Sequence, residues 1–399
     1  MQCPSLSICF GFFLGLTIAF ANPTATRVHG EETSEIPRTG STESRLSADQ
    51  QTEIDQVVKE GIENGQMPGC VVLIGHRGKI VLAKAYGHRQ SEPEAVPMTL
   101  DTVFDLASLT KPVATATSIL HLVEQGKLKL DQKVTAILPT FTGNGKENIT
   151  VRQLLIHQSG LIADNSIHDY GNGPQQAFER IDALKLTADP GTKFIYSDVG
   201  FIVLGRIVEA VSGTPLNEYA AAHIFKPTGM QETGYLPDKS LHSRTAPTEQ
   251  RNGDWMRGEV HDPRAYALNG VAGHAGLFST AEDLARYATM MLNGGTIDRQ
   301  RVLKPETIEL MITPHEVSRG VRGLGWDIQS PYSSNRGDQL SERAFGHGGF
   351  TGTVLWIDPD QDLFFIFLSN RLHPDGEGSV NSLAGRIISI AAAALSSTE

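Results

Sequence analysis

A serine and a lysine three positions apart are the residues of this sequence best suited to nucleophilic chemistry. Ser108 and Lys111 lie in the stretch VFDLASLTKPVATATSIL, where a short apolar run gives way to a helical pattern. Pro112 fits the first turn of a helix, because the N–H that proline lacks has no intrahelical acceptor there. We therefore expect Ser108 at a helix N-terminus, which favours developing negative charge, with Lys111 pointing the same way.

Two polar stretches far downstream are candidates for partners of this pair. The S-x-x-K spacing alone is a frequent chance pattern, so it needs such support. Tyr196 and Asp198 directly precede a strong helical pattern over residues 200–211, and His347-Gly348-Gly349 closes a strand-like segment. A nucleophile requires a proton acceptor and donors for the oxyanion, and these stretches carry side chains and backbone suited to both tasks.

Strand patterns occupy both ends of the chain and helical patterns its middle. Apolar runs predict one hairpin from residues 70–74 and 80–86 and another from 353–358 and 363–368, while helical periodicity marks residues 281–292 and 380–395. This order predicts an α+β fold: an antiparallel sheet from both chain ends, flanked by N- and C-terminal helices, forms an α/β sandwich subdomain beside an all-helical one. The expected limits are about 46–107 with 315–399 for the sheet subdomain and 108–314 for the helical subdomain.

The N-terminus has the pattern of a secretory signal. Residues 5–21 form one apolar run that ends in Ala19-Phe20-Ala21, which predicts a signal peptide over residues 1–21 and cleavage before Asn22. An uncleaved N-terminal anchor is the alternative, because the segment before the run lacks Lys and Arg. Residues 22–45 are poor in large apolar side chains and are expected to be a disordered tether to a domain over 46–399. Cleavage implies a periplasmic or extracellular protein without a membrane span.

Composition narrows the range of partners. The 399 residues carry a net charge of −11 and no cluster of basic side chains, so nucleic acid is not an expected partner. Signal cleavage would leave Cys70 as the single cysteine, in an apolar run typical of a buried, unreactive thiol. No zinc motif, Walker A or G-x-S-x-G pattern occurs, and no cofactor is expected. The oligomeric state stays open.

The chain resembles the serine hydrolases of the class C β-lactamase and penicillin-binding protein family. That family includes secreted esterases, D-amino-acid peptidases and muropeptide amidases, and the S-x-x-K pattern is known from penicillin-recognising enzymes. The resemblance extends over nearly the whole chain after Leu46, in the family's order, and rests on the segments FDLASLTK, LLIHQSGL, PGTKFIYSDVGF, GVAGHAGLFSTAEDLARY and FGHGGFTGT.

The resemblance implies a role for each candidate residue. Ser108 would be the acylated nucleophile, with Lys111 and Tyr196 removing its proton and later protonating the leaving group. The backbone N–H groups of Ser108 and Phe350 would form the oxyanion hole. Burial is expected to make the proton of Lys111 labile. The glycines of the 347–349 strand would let substrate lie close to it.

Two departures from the family pattern bear on the substrate. Where the family's β-lactamases usually carry Lys-Thr-Gly, this chain has His347-Gly348-Gly349, which lacks both a fixed charge and a hydroxyl for a substrate carboxylate. Asp198 replaces a usual asparagine and is expected either to pair with Lys111 or to accept a substrate N–H. His347 is expected to be neutral at pH 7 and to donate a hydrogen bond to Tyr196 or to substrate.

The sequence therefore predicts a secreted serine hydrolase that cleaves an ester or amide bond in cell-wall muropeptides or small acyl esters. A β-lactamase or D-Ala-D-Ala carboxypeptidase is the enzymatic alternative, and a penicillin-binding sensor without turnover is the alternative outside enzymes. His157 is expected to tie a loop, and the group His261, Asp262 and His274 to pack in a polar loop or support the site rather than bind metal. Trp326 and Tyr266 are candidates for the cleft lining. No metal is expected.

Overall fold

The computed structural model describes Ile36 and residues 46–396. The predicted signal peptide and nearly all of the predicted tether lie outside the described residues, so both stay predictions, as do the limits of the two subdomains. Among the described residues, no single helix has the length and apolarity to span a membrane, although the bent pair Asp198–Ser212 and Leu216–Thr228 meets that criterion jointly by length and composition.

Helices pack against both faces of the central sheet. They are α1 Ala48–Glu63, α2 Thr117–Glu124, α3 Val151–Leu155, α4 Pro174–Ala183, α5 Asp198–Ser212, α6 Leu216–Ala220, α7 Lys226–Thr228, α8 Pro263–Ala267, α9 Ala281–Leu292, α10 Pro305–Ile312 and α11 Asn381–Ser396. A 3₁₀ turn at Ala107–Leu109 and a π-helical segment at Lys111–Ala116 lead directly into α2. The expected helix after Ser108 is therefore one helical stretch of changing pitch.

The strands come mainly from the two ends of the described chain. They are β1 Gly69–His76, β2 Lys79–Gln90, β3 Val96–Pro97, β4 Phe104–Asp105, β5 Gly234–Tyr235, β6 Gln250–Arg251, β7 Asp254–Trp255, β8 Leu277–Ser279, β9 Thr296–Ile297, β10 Gln300–Arg301, β11 His315–Val317, β12 Gly320–Arg322, β13 Asp327–Gln329, β14 Phe345–Gly349, β15 Thr353–Asp358 and β16 Leu363–Ser369.

One large antiparallel sheet joins the two ends of the chain. Its strand order is β11-β12-β13-β14-β15-β16-β1-β2-β3, so the last long strand, β16, pairs with the first, β1. Strand β14 lies beside β15 and touches β13 at the single pair Asp327 and Gly346. A small sheet in the order β4-β8-β5 holds the segment that leads to Ser108. The predicted α+β class and the sheet built from both termini are confirmed.

The central strands bury both faces, which explains their continuous apolar runs. In β1, Val71 and Leu73 face a core shared with helices α2, α5 and α9, whereas Cys70, Val72 and Ile74 face a second core formed with α1 and α11. Cys70 is fully buried, and burial raises the pKa of its thiol, as expected for an unreactive cysteine. The nucleophile segment lies on the side of the first core.

Local sequence signals placed most element boundaries well. The capping box of α1 forms between Ser47 and Gln50, because each backbone N–H reaches the other side chain, at 2.8 and 3.2 Å. Helix α9 has the predicted bounds, and α5 starts two residues before its predicted start, since Ser197 caps it by accepting from Gly200 N–H at 3.0 Å. This cap fixes the backbone immediately after Tyr196.

Candidate active site

The nucleophile segment is held in a strained turn by a buried carboxylate. Ala107, directly before Ser108, has φ of 45°, which is uncommon for a residue with a side chain. Asp105 accepts the N–H of Ala107 at 2.8 Å and, through its other oxygen, the N–H of His261 at 2.7 Å. Asp105 therefore connects the nucleophile turn to the loop before α8. Asp105 was not among the predicted site residues, although a charged side chain within the apolar run VFDLA is a usable signal.

The carbonyl groups around this turn also have fixed partners. Thr351 donates its hydroxyl to the carbonyl of Asp105 at 2.7 Å, and Thr353 donates to that of Leu106 at 3.1 Å. Thr351 lies in the turn between β14 and β15, and Thr353 begins β15, so the large sheet and the segment that leads to Ser108 are bonded directly. Such support holds a reactive side chain in a defined position against strand β14.

Lys111 contacts Ser108 and two further oxygen atoms through its ammonium group. Its Nζ is 2.9 Å from Ser108 Oγ, 2.6 Å from Asp198 Oδ1 and 3.0 Å from the carbonyl oxygen of His274. The lysine side chain is completely buried. The ammonium group thus has two hydrogen bonds and one ion pair, so the predicted approach of Lys111 to Ser108 is observed, and so is its expected pairing with Asp198.

The charge state of Lys111 differs from the expectation of a labile proton. Burial by itself lowers the pKa of Lys111, but the Asp198 carboxylate and Tyr196 oppose this effect, and the net pKa is raised above its ordinary value. The resting enzyme therefore holds an ammonium group at position 111 at neutral pH. The expectation is wrong because it considered burial without the counter-charge that Asp198 supplies.

Tyr196 completes the group of polar side chains around Ser108. Its ring lies 5.0 Å from Lys111 Nζ, between the rings of His157 at 4.5 Å and Tyr332 at 4.6 Å. Burial raises the pKa of the Tyr196 hydroxyl, and the charge of Lys111 and the side chain of Ser108 counteract part of this rise. The phenol is therefore neutral at rest. Tyr332 was missed at the sequence level, and no local pattern marks it.

His347 is neutral, as expected, but it donates its hydrogen bond to the carbonyl of Gly348. Its Nδ1 lies 2.8 Å from the carbonyl oxygen of Gly348, which assigns the ring proton to Nδ1 and leaves Nε2 as an acceptor. Burial, together with the charges of Arg322 and Lys111, holds the pKa of His347 well below its usual value. The expected donation to Tyr196 or substrate is therefore wrong, since the one available proton is already bound.

Protein groups pack so closely against Gly348 and Gly349 of strand β14 that neither position has room for a side chain. A Cβ on Gly349 would lie 2.4 Å from the carbonyl oxygen of Leu106, on the segment that leads to Ser108. A Cβ on Gly348 would lie 2.4 Å from Nδ2 of Asn335. Both glycines thus allow a close approach of protein groups to the strand, where the sequence pattern suggested only an approach of substrate.

A cavity of about 380 Å³ opens above these groups. Phe350, whose N–H is the second predicted oxyanion donor, stands 61% exposed at its rim, between the guanidinium of Arg371 at 4.6 Å and the ring of His261 at 5.8 Å. Ser108 and Phe350 lie on the same cavity wall. The wall also includes Tyr196, Arg322, Asp327, Tyr332, Asn335, His347, Gly348, Gly349 and Arg371.

The remaining polar candidates mostly hold loops. Asp262 caps α8 and accepts from Nε2 of His274 at 2.9 Å. Ligand atoms of Asp198, Asp262 and His274 lie within 4.8 Å of one another, but the Lys111 ammonium already contacts this group through Asp198. His157 accepts the N–H of Ser197 at 3.0 Å, as expected for a loop tie.

The two aromatic candidates for the cleft lining do not line the cavity. Trp326 is completely buried and packs in the core against Phe345, with their ring centroids 5.1 Å apart. Tyr266 is 46% exposed and lies on the guanidinium of Arg251, 3.9 Å from the ring centroid. Neither belongs to the wall described above, so the expectation for both is wrong.

Comparison with known proteins agrees with this geometry. The family model described as Beta-lactamase matches residues 54–388. The N-acetylmuramyl-L-alanine amidase of Bacillus subtilis (strain 168) is 34% identical over 367 residues, which cover 83% of each chain. A penicillin-binding protein homologue from Caulobacter crescentus has TM-score 0.71 and 23% identity, with 88% of this chain and 99% of that chain covered. A class C β-lactamase has TM-score 0.72 and 20% identity, with 91% and 99% covered, and these two show the shared fold. The chain therefore belongs to the beta-lactamase family, as a serine hydrolase that acts on amide or ester bonds.

Proposed function

We propose that this protein is a secreted amidase that cleaves an amide bond in peptidoglycan-derived muropeptides through an acyl-enzyme on Ser108. The observation that carries the catalytic part is the position of Ser108 Oγ, 2.9 Å from a buried lysine and at the wall of a 380 Å³ cavity. The similarity to the B. subtilis amidase over 83% of both chains supports the substrate class.

The proposed reaction uses the Lys111–Tyr196 pair as one acid–base unit. Because Ser108 Oγ accepts a hydrogen bond from Lys111, its own proton points elsewhere, and the Tyr196 hydroxyl is the neighbouring oxygen. When the pair has lost one proton to solvent, it takes the proton of Ser108 as Oγ bonds to the carbonyl carbon. The backbone N–H groups of Ser108 and Phe350 hold the oxyanion.

The pair then returns the proton to the leaving amine nitrogen as the C–N bond breaks. A water molecule repeats the sequence on the acyl-enzyme, giving its proton to the pair and its oxygen to the acyl carbon, and Ser108 regains its hydrogen. Charge stays constant through each step, because the proton moves only within the site. Asp198 keeps the ammonium form of Lys111 in place between the two half-reactions.

Incubation with purified muropeptides tests the substrate class. We expect one new free amino group per cleaved amide bond, seen by mass spectrometry as a sugar-containing and a peptide product whose masses sum to the substrate plus one water. Small acyl esters of similar concentration serve as the comparison. Hydrolysis of the small acyl esters, with the muropeptides left intact after prolonged incubation with enzyme, would contradict the muropeptide assignment.

The N-terminal residue of the mature protein tests the proposed secretion. The apolar run that ends in Ala19-Phe20-Ala21 predicts a mature chain starting at Asn22. Peptide mapping of protein recovered from the periplasm or medium of a bacterial host should yield Asn22 as the N-terminal residue. Recovery of an intact Met1 in the membrane fraction would support the uncleaved anchor instead.

Replacing Asp198 by asparagine should shift the pH dependence of acylation towards lower pH. The Asp198 carboxylate opposes the effect of burial on Lys111, so its removal lets burial lower the pKa of the Lys111–Tyr196 pair. The active form has one proton fewer on this pair. The ascending limb of kcat/KM against pH should therefore begin at lower pH than in the wild type.

The ascending limb is measured from the pH profile of ester hydrolysis. Asparagine is chosen because its side-chain oxygen can still accept a hydrogen bond from Lys111. Asp164→Asn is the matched control, because Asp164 is an exposed neighbouring carboxyl that pairs with Arg264 at 3.5 Å rather than with Lys111. An Asp198→Asn limb that is unchanged, or displaced to higher pH, would contradict the role given to the pair.

A further inference from the structure

A buried guanidinium in the cavity wall has open hydrogen-bonding capacity. Arg322, at the end of β12, is completely buried, and its three guanidinium nitrogens have no hydrogen-bond partner within the described part of the chain. Asp327 Oδ1 lies 3.2 Å from Nη1, outside hydrogen-bond geometry, while its other oxygen accepts from Ser333 at 2.7 Å. Buried donors without acceptors are costly, so a ligand that supplies acceptors is the expected complement.

A second buried donor lies on the same wall. Asn335 is 2% exposed, and its Oδ1 accepts from Nε1 of Trp356 at 3.0 Å. This bond turns Nδ2 towards strand β14, where it lies 2.4 Å from the place that a Cβ on Gly348 would take. The amide N–H group thus occupies the side-chain space of position 348.

The two other cations of the site, Lys111 and Arg371, each have hydrogen-bond partners among the described residues. The Lys111 ammonium contacts three acceptors, including Asp198. Arg371, at the rim, donates to the carbonyl of Gly378 at 2.8 Å and covers the ring of Phe350. Arg322 is ion-paired with Asp327, and it is a buried cation of the cavity wall whose guanidinium nitrogens make no hydrogen bond with the described residues.

We propose that Arg322 and Asn335 form a subsite for a carboxylate of the substrate, so that the enzyme prefers substrates that carry this carboxylate to neutral ones. This proposal rests on the proposed acylation of Ser108, whose side chain lines the same cavity. The planar fork of an arginine and an amide N–H together match the two oxygens of a carboxylate. His347 and Gly348 supply neither a fixed charge nor a hydroxyl. Arg322, from β12, supplies a charge in their place, and Asn335, from the segment before β14, supplies an N–H donor.

A pair of esters with the same acyl group tests the subsite. The 3-carboxyphenyl and phenyl esters of one N-acylglycine differ by a single carboxylate, and their alkaline hydrolysis rates correct for leaving-group reactivity. The wild-type kcat/KM should be about 10- to 100-fold higher for the carboxylate ester, as for a hydrogen-bonded ion pair. The product 3-hydroxybenzoate should inhibit phenyl ester hydrolysis, whereas phenol should not.

Two variants assign the preference to these residues. Asn335→Asp keeps the shape and the acceptor for Trp356 but adds a negative charge, so the ratio of the two kcat/KM values should fall below one. Arg322→Lys keeps a charge but loses the fork, and the ratio should fall about 10-fold. Arg343→Gln, which removes an exposed arginine paired with Glu309 at 2.9 Å, is the control and should keep the wild-type ratio.

The outcomes separate the subsite from the underlying hydrolase. Equal wild-type turnover of the two esters, or an unchanged ratio in Asn335→Asp and Arg322→Lys with normal melting temperatures, overturns the subsite alone. If a variant does not fold, wild-type inhibition decides, and equal inhibition by 3-hydroxybenzoate and phenol is the overturning result. Absence of any acylation of wild-type Ser108 would overturn the proposed function and the subsite with it.

Discussion

Ser108→Ala should lose at least about 10⁴-fold in kcat and form no covalent adduct, since removal of a nucleophile leaves only binding and oxyanion stabilisation. The cause is chemical, because alanine keeps the Cβ and the Ala107–Leu109 turn. Lys111 also retains two of its three acceptors, Asp198 and the His274 carbonyl. We therefore expect a folded, inactive protein.

Intact-mass measurement after treatment with a fluorophosphonate or p-nitrophenyl acetate checks this result. Ser118→Ala is the matched control, because the Ser118 hydroxyl is buried ten positions later on the same helical stretch without a hydrogen-bond partner among the described residues. The control should acquire one adduct, as the wild type does. An adduct of equal yield on Ser108→Ala would place the nucleophile elsewhere.

Lys111→Met should lower kcat by about 10²- to 10⁴-fold, the usual contribution of general acid–base catalysis. Methionine approaches the length of the lysine stem but cannot donate to Ser108 Oγ or exchange a proton. It also leaves Asp198, which is only 20% exposed in its side chain, without its ammonium partner. Breaking such a pair costs about 3 kcal/mol, so the melting temperature should fall as well.

A double variant separates these two effects. Lys111→Met with Asp198→Asn removes the unpaired charge, so the melting temperature should recover towards that of the wild type while activity stays lost. Thermal unfolding and single-turnover acylation are measured on all three variants. Recovery of activity together with stability would mean that Lys111 supports the fold and is not part of the acid–base unit.

The local elements of the fold are readable from sequence because their signals are local. The Ser47 capping box, the continuous apolar run of β1 and the helical stripe of α9 all involve residues within a few positions of one another. The pairing of β16 with β1 is not local, since it joins positions nearly three hundred residues apart. The apolar runs at both chain ends nevertheless favoured that arrangement.

Parts of the site had no signal in the sequence. Asn335 lies on a 3₁₀ turn without a recognisable motif, and it matters because folding places its amide against Gly348. Arg322 reads as an ordinary strand arginine until the structure shows it buried beside His347. The expected lack of a carboxylate contact followed from positions 347 and 348 alone, whereas the proposed subsite uses residues of neighbouring elements.

The sequence by itself determined the close spacing of Ser108 and Lys111 and the order of strands and helices, and it predicted which residue types meet at the candidate site. Chain chemistry and short-range spacing are enough for these features. Only the tertiary structure decided the protonation of Lys111 and the direction of the His347 hydrogen bond. Both depend on groups brought close by folding, such as the His274 carbonyl 163 positions away and the Asp198 carboxylate, because charge and burial act through space and not along the chain.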